Sequence, residues 1–451
     1  MRQMNKAFLA GLSVLLLIGS VSADEIAVTV YNSNLGVVSE TRRLEFKEGT
    51  NRLAFRDVPQ LIDAASVRFD VPERQVTILE QNYAFDLVSP AAMYAKYIDQ
   101  EIELIDKDGR LYAGSLLAHS SREVTLRELG GRIKIVLLEN IAEVSFPSLP
   151  EGLVTRPTLF WLYNSSTSGS LDCRVGYQTA GMDWQAEYVG LLSSDESELE
   201  LSGWSSITNK SGKTYTDATL KLVAGDISRA APPPQWGRMK ALATADMEGA
   251  GGFEEKAFFE YHLYTLPRRA TLADKEIKQI SLFEPAGTAV EKIYTYRPQV
   301  HPTDVGVAVK FTNSASAGLG MPLPAGRMRM FKADEDGSMI LIGEDYIKHT
   351  PRDEEIIVKV GNAFDIVAEE RLMDQTRISQ RVEDRKYEIE IRNRKAEEVT
   401  VRVEKRLYGF WEIRESSLPF IKKDATTVYF DVTVGSGQTQ VLTMTVRFSN
   451  S

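Results

Sequence analysis

Four histidines, one cysteine and an excess of carboxylates are the groups with which this chain could do chemistry. His119, His262, His301 and His349 are widely separated. A metal pair on one helix or hairpin needs two ligands a few residues apart, as in H-E-x-x-H, and no two of these histidines have that spacing. They read as ordinary strand or surface histidines. Cys173 lies between Asp172 and Arg174 in an apparent strand. A reactive thiol needs a neighbouring base, and none is evident, so Cys173 reads as a buried structural thiol.

Two glycine-containing stretches invite a phosphate-binding reading. Gly212-Lys213-Thr214 matches the end of a phosphate loop, but such a loop needs a glycine where Ile207 stands, and it should open a helix rather than a strand. Gly249-Ala250-Gly251-Gly252 reads as a flexible linker. The chain has no G-x-S-x-G elbow for a serine hydrolase.

Carboxylates could form a glycosidase pair, which needs two carboxyl groups about 5–10 Å apart across a sugar. Clusters such as Asp334-Glu335-Asp336 and Asp353-Glu354-Glu355 sit at apparent turns, where solvated charge explains them. Trp161, Trp184, Trp204 and Trp411 could stack on sugar rings. Three of them lie in apparent strands of a sandwich, where tryptophan belongs to the core. No catalytic, cofactor-binding or metal-binding residue is therefore assigned. The chain is expected to be no enzyme and to hold no cofactor.

The start of the chain indicates the compartment. Arg2 and Lys6 precede an apolar core from Phe8 to Ile18, and Val21-Ser22-Ala23 supplies small residues before Asp24. This is a secretory signal pattern over residues 1–23, with a core too short for a stable span. Cleavage after Ala23 removes two cations and no acid, taking the formal charge from −10 to −12. An acidic exported chain is a poor partner for nucleic acid or for anionic lipid, since both are met by cations. The mature chain is expected to be soluble, without a stable membrane span, in the periplasm or at the cell surface. A single cysteine forbids an internal disulfide, so stability must come from buried apolar surface, for which 43% hydrophobic residues suffice.

Period-two alternation runs through the remainder. Residues 24–88 read as an N-terminal β domain, with Ile26, Val28 and Val30 alternating and Asn32-Ser33-Asn34 turning. Residues 89–149 read as a short helix followed by a small SH3-like barrel. Ser89 caps the helix, Pro90 occupies its first position, and five short strands follow with turns at Asp106-Lys107-Asp108-Gly109 and Gly130-Gly131. Residues 150–371 read as a central β-sandwich, with a bulge at Gly203-Trp204 and a mobile excursion at 230–256, bounded by Pro232-Pro233-Pro234 and the glycines after Glu248. The stretch Ala257–Pro285 reads as two strands joined by a loop containing Pro267. Residues 372–451 read as an immunoglobulin-like sandwich without the cysteine pair of antibody domains. The fold class is all-β and modular.

Two segments carry a family likeness. The first is Gly181-Met182-Asp183-Trp184-Gln185-Ala186-Glu187-Tyr188, with Leu201-Ser202-Gly203-Trp204 through Val223-Ala224-Gly225-Asp226-Ile227. The second holds Phe259-Glu260-Tyr261, Leu266-Pro267 and Lys278-Gln279-Ile280, and Val30 to Val38 adds to both. Together they resemble the bacterial mucoidy-inhibitor-like family, a domain of unknown function (number 4139), over nearly all of the mature chain. The resemblance implies an exported, β-rich envelope protein with an influence on surface polysaccharide, and it supplies no catalytic residues. Many relatives have a long coiled-coil insert where this chain has the compact barrel-like block.

The function expected is a non-enzymatic envelope protein that binds or scaffolds protein or polysaccharide partners. The alternatives are a carbohydrate-active hydrolase with a carboxylate pair in an inter-domain cleft, and an accessory factor in outer-membrane or surface-polysaccharide assembly.

Overall fold

The computed structural model describes residues 25–71, 75–150, 152–225, 254–258, 261–334 and 336–449. The segment assigned as a signal peptide and nearly all of the excursion at 230–256 lie outside the described residues. Strands dominate the described chain, with a single seven-residue α-helix. The all-β, multi-sheet architecture expected from the alternation is therefore present. The chain forms two compact units, one built from Ser39–Val58 and Ala64–Tyr177, the other from Ala27–Val38, Pro59–Asp63 and Gln178–Ser451.

In the first unit, the helix Pro90–Lys96 starts as its sequence dictates. Ala92 N donates to Ser89 Oγ at 3.1 Å and Pro90 takes the first turn, where no amide donor is needed. Tyr94 and Tyr97 bury against Ile102, Leu104, Leu116, Val124 and Leu126. These come from a five-stranded antiparallel sheet in the order Ile141–Ser145, Glu101–Asp106, Leu111–His119, Glu123–Glu128, Ile133–Leu137. A three-stranded sheet places Thr158–Ser165 between Gly49–Arg56 and Val76–Ala84. Its Trp161 is fully buried, stacks on Phe55 at 5.0 Å and donates from Nε1 to Gln81 Oε1.

The second unit contains a five-stranded sheet in the order Glu276–Ala289, Glu198–Asn209, Met182–Leu192, Gly326–Ala333, Met339–Ile347. The pairing slips around Gly203, as its sequence predicts. Leu201 pairs with Ala286 and Gly203 with Phe283, so Glu284 and Pro285 oppose Ser202 alone. This corrects the reading of Ala257–Pro285 as two strands. Tyr261–Thr265 and Glu276–Ala289 are separated by a short strand, Ala270–Leu272, and Pro285 lies within a strand rather than at its end. A proline lacks the amide that a ladder requires, and a bulge is where a strand tolerates that.

The last sheet of the second unit has nine strands, in the order Phe410–Ser416, Thr439–Ser449, Val382–Asn393, Glu355–Arg377, Asp304–Thr312, Glu291–Tyr296, Val399–Arg406, Thr427–Val434, Ile421–Lys422. Glu355–Arg377 runs unbroken across residue 371, pairing first with Asp304–Thr312 and then with Val382–Asn393. The inner face packs Tyr294, Tyr296, Ile389, Val401, Val403 and Phe430 into one core. Backbones of the two sheets approach closely at Gly343, where a Cβ would lie 2.4 Å from Val360 Cα, so only glycine fits.

Candidate functional site: a charged trough on the nine-stranded sheet

Alternation on the nine-stranded sheet buries one set of residues and exposes its complement. Along Val399–Arg406 the valines 399, 401 and 403 face the core, leaving Thr400, Arg402 and Glu404 on the other face. Thr427–Val434 does the same with Tyr429 and Asp431, and Glu355–Arg377 with Glu355, Ile357 and Lys359. Glu291–Tyr296 pairs in parallel with Val399–Arg406, setting Thr295 beside Arg402. The outer face of these strands is hollowed into two adjoining cavities of about 490 Å³ and 500 Å³, which share Ile293, Ile357 and Arg402. They form one trough.

Its two halves differ in charge. The first is lined by Arg297, His301, Lys359, Arg402 and Lys423, against Asp304 and Glu404. The second is lined by Glu291, Glu355, Glu397, Glu398 and Asp431, against Lys292, Lys310 and Arg402. Ion pairs hold most of these groups in place. Arg402 grips Asp431 with two bonds, Nε to Oδ1 at 2.7 Å and Nη2 to Oδ2 at 2.9 Å. Arg297 Nε donates to Glu404 Oε2 at 2.9 Å. Lys310 bridges Glu291 at 2.6 Å and Glu355 at 3.5 Å. Two cations lie near the Tyr429 ring, Lys423 Nζ 5.0 Å and the Arg402 guanidinium 5.4 Å from its centroid.

Asp431, Lys310 and Lys423 are shifted toward their charged forms. The hydrogen bonds from Arg402 hold the Asp431 carboxyl below its ordinary range, and the bond to Glu291 raises Lys310. Lys423 is raised first by its bond to Tyr429. A general acid for glycoside hydrolysis needs the opposite, a carboxyl held protonated by a raised pKa. Desolvation raises Asp183, but that residue lies in Met182–Leu192, in the other sheet.

Most of the residues singled out from sequence are not brought together. His119 stacks on Tyr94 at 5.6 Å, His262 lies beside Tyr264, and His349 Nδ1 accepts from Ala325 N at 3.1 Å. Only His301 lines the trough. Among the described residues, no three His, Cys, Asp or Glu side chains gather as metal ligands. Gly212 lies in a turn with φ of 86°, donating its amide to Asp274 Oδ1, and the strand Tyr215–Ala224 follows. Trp184 is core and donates to Val223 O at 2.9 Å, whereas Trp204 is exposed at the bulge. Burial, with Asp172 beside it, pushes the Cys173 thiol up to about 12, the reverse of what a nucleophile needs. Asp336 caps a turn by accepting from Ser338 N, and Asp353 takes a left-handed φ of 62°, while Glu335 lies outside the described residues. Glu355 is the one member of the two acidic clusters in the trough.

Sequence reasoning missed Arg297, Lys359, Arg402 and Lys423. The available signal was the complement of the apolar alternation, Arg402 between Val401 and Val403 and Lys359 between Val358 and Val360.

The family profile described as Domain of unknown function (DUF4139) matches residues 173–407, just over half of the 451 residues. The chain belongs to this family. A second profile, N-terminal domain of unknown function (DUF4140), matches residues 28–126. No curated protein matches the chain. The DUF4139 match holds the trough residues from Glu291 to Glu404, while Lys423, Tyr429 and Asp431 lie beyond its end.

Proposed function

We propose that the chain is an exported, non-enzymatic binding protein of the cell envelope, and that the basic half of its trough takes an acidic polysaccharide. The exported reading rests on the leader pattern of residues 1–23. We read the block after Ser89 as an SH3-like spacer and the last strands as an immunoglobulin-like sandwich that carries the trough.

One observation carries the ligand class. Arg297, His301, Lys359, Arg402 and Lys423 line one open cavity around the face of Tyr429. Cations spaced along a trough suit a chain of repeating carboxylates, and an aromatic face suits a sugar ring. Binding is favoured over hydrolysis because Glu404, Asp431, Glu291 and Glu355 are tied to arginine or lysine. Carboxylates tied into ion pairs in this way position cations rather than stand ready as proton donors.

The test is calorimetric titration with polygalacturonate and with neutral dextran of matched length. Polygalacturonate should bind with an affinity that falls as salt rises, since exposed charges are screened beyond about 8 Å at physiological salt. His301→Glu with Lys359→Glu should weaken it roughly tenfold, because one attractive charge is reversed and a second repulsive one is added beside it. Equal affinity for dextran, or no loss in the double variant, would overturn the proposal.

A further inference from the structure

We infer that the lobe of residues 406–411 and 420–427, where the two edge strands of the nine-stranded sheet are tied together, is a docking surface for an anionic lipid bilayer. The two segments are tied into one lobe. Leu407 N donates to Thr426 O at 2.7 Å, and Trp411 Nε1 to Ala425 O at 2.8 Å. Lys422 Nζ lies 4.5 Å from the centre of the Trp411 ring, and Phe420 packs on Phe430 at 6.0 Å.

The lobe exposes what a folded surface normally hides. Tyr408 is 66% exposed, Phe410 70% and Ile421 61%. Rings and aliphatic side chains exposed on one lobe are suited to the headgroup boundary, where an apolar body and a polar neighbour are both accommodated. The charge around them settles the kind of membrane. Arg406, Lys422 and Lys423 are exposed there, and the one acid within the two segments, Asp424, is engaged by Thr426 N at 2.7 Å and Thr426 Oγ1 at 2.9 Å. The lobe is thus cationic on a chain of formal charge −10. Net charge argued against anionic lipid in the sequence, but a bilayer meets only the charges within about a Debye length of it. Basic side chains flanking exposed rings attract phosphate headgroups while the rings enter the boundary.

Lys423 is shared with the trough, whereas Arg406, Phe410, Ile421 and Lys422 are no part of its lining.

The test is flotation of the full chain with vesicles of equal parts phosphatidylglycerol and phosphatidylcholine, and with phosphatidylcholine alone. The chain should float with the anionic vesicles and sediment with the neutral ones. Phe410→Asp with Ile421→Asp should lower the bound fraction roughly tenfold at unchanged melting temperature, and Arg406→Glu with Lys422→Glu should abolish the preference for anionic lipid. Both variants retain residues 1–23, so a difference from the parent belongs to the lobe. Equal flotation of parent and variants would overturn the inference, as would failure of the parent to float with anionic vesicles.

Discussion

Asn209 and Asn393 end strands in different sheets and make the same bonds. Asn209 Nδ2 donates to Lys213 O, Leu272 O and Ala273 O, while its Oδ1 accepts from Ser211 N. Asn393 Nδ2 donates to Glu397 O, Val434 O and Gly435 O, and its Oδ1 accepts from Lys395 N. In each, one carboxamide satisfies carbonyls of its own turn and of a neighbouring turn that the ladder leaves over. Asn313 does likewise with Met321 O, Thr350 O and Pro351 O. All three are at most 2% exposed. Asparagine is the fitting residue because its side chain is short and carries both donors and an acceptor.

The first prediction follows. Asn393→Leu should lower unfolding free energy by about 2–4 kcal/mol, since buried carbonyls lose their donors and gain no water. Asn393→Asp should also destabilise, because a carboxylate would face those carbonyls. Urea unfolding reads both, and a midpoint unchanged in either would contradict the clamp.

Gly203 supports a second prediction. A Cβ there would lie 2.3 Å from the Phe283 ring, which packs beside Tyr188. Gly203→Val should cost about 1–3 kcal/mol through overpacking. Adding Phe283→Ala should relieve the clash, making the double variant more stable than the sum of the two single losses implies. Additive losses in thermal or urea unfolding would show that the ring and the glycine are independent.

The strands were legible because each alternates apolar with polar residues, and the helix because Ser89 and Pro90 announce it. The trough was not. Its residues come from strands far apart in sequence, and Thr295 meets Arg402 only through a parallel pairing that no local pattern encodes. The short strand Ala270–Leu272 was missed because three residues carry too little alternation to register. Pro285 misled because proline usually ends a strand, whereas here the slip opposite Ser202 removes the need for its amide.

Acid should expose a third feature. Burial pushes Glu196 up, but bonds and charge from Lys292 and Lys332 outweigh it and hold the carboxyl at about 2, against an ordinary 4.5. A carboxyl with a depressed folded pKa adds stability that is fully present above its unfolded value. That stability is lost as pH falls toward the folded one. Glu196→Gln should therefore flatten the fall in stability between about pH 4.5 and pH 2 and lower stability at neutral pH. Identical pH profiles for parent and variant in urea unfolding would refute this.

The last prediction concerns Lys405, which is only 4% exposed. Its Nζ meets both oxygens of Glu370 at 2.6 Å and 2.7 Å and lies 4.1 Å from the centre of the Tyr387 ring. Burial lowers the Lys405 pKa in spite of Glu370, so the ammonium depends on that partner and on the ring to stay charged. Glu370→Leu leaves a buried cation with the ring alone and should cost about 3–5 kcal/mol, the range for breaking a buried pair. Lys405→Met with Glu370→Leu removes both charges and fills the space with apolar atoms, so it should recover most of that loss. A double-mutant cycle in urea reads the coupling. If the double variant is no more stable than Glu370→Leu alone, an unpaired charge is not the source of the loss, and packing around Tyr387 would have to account for it.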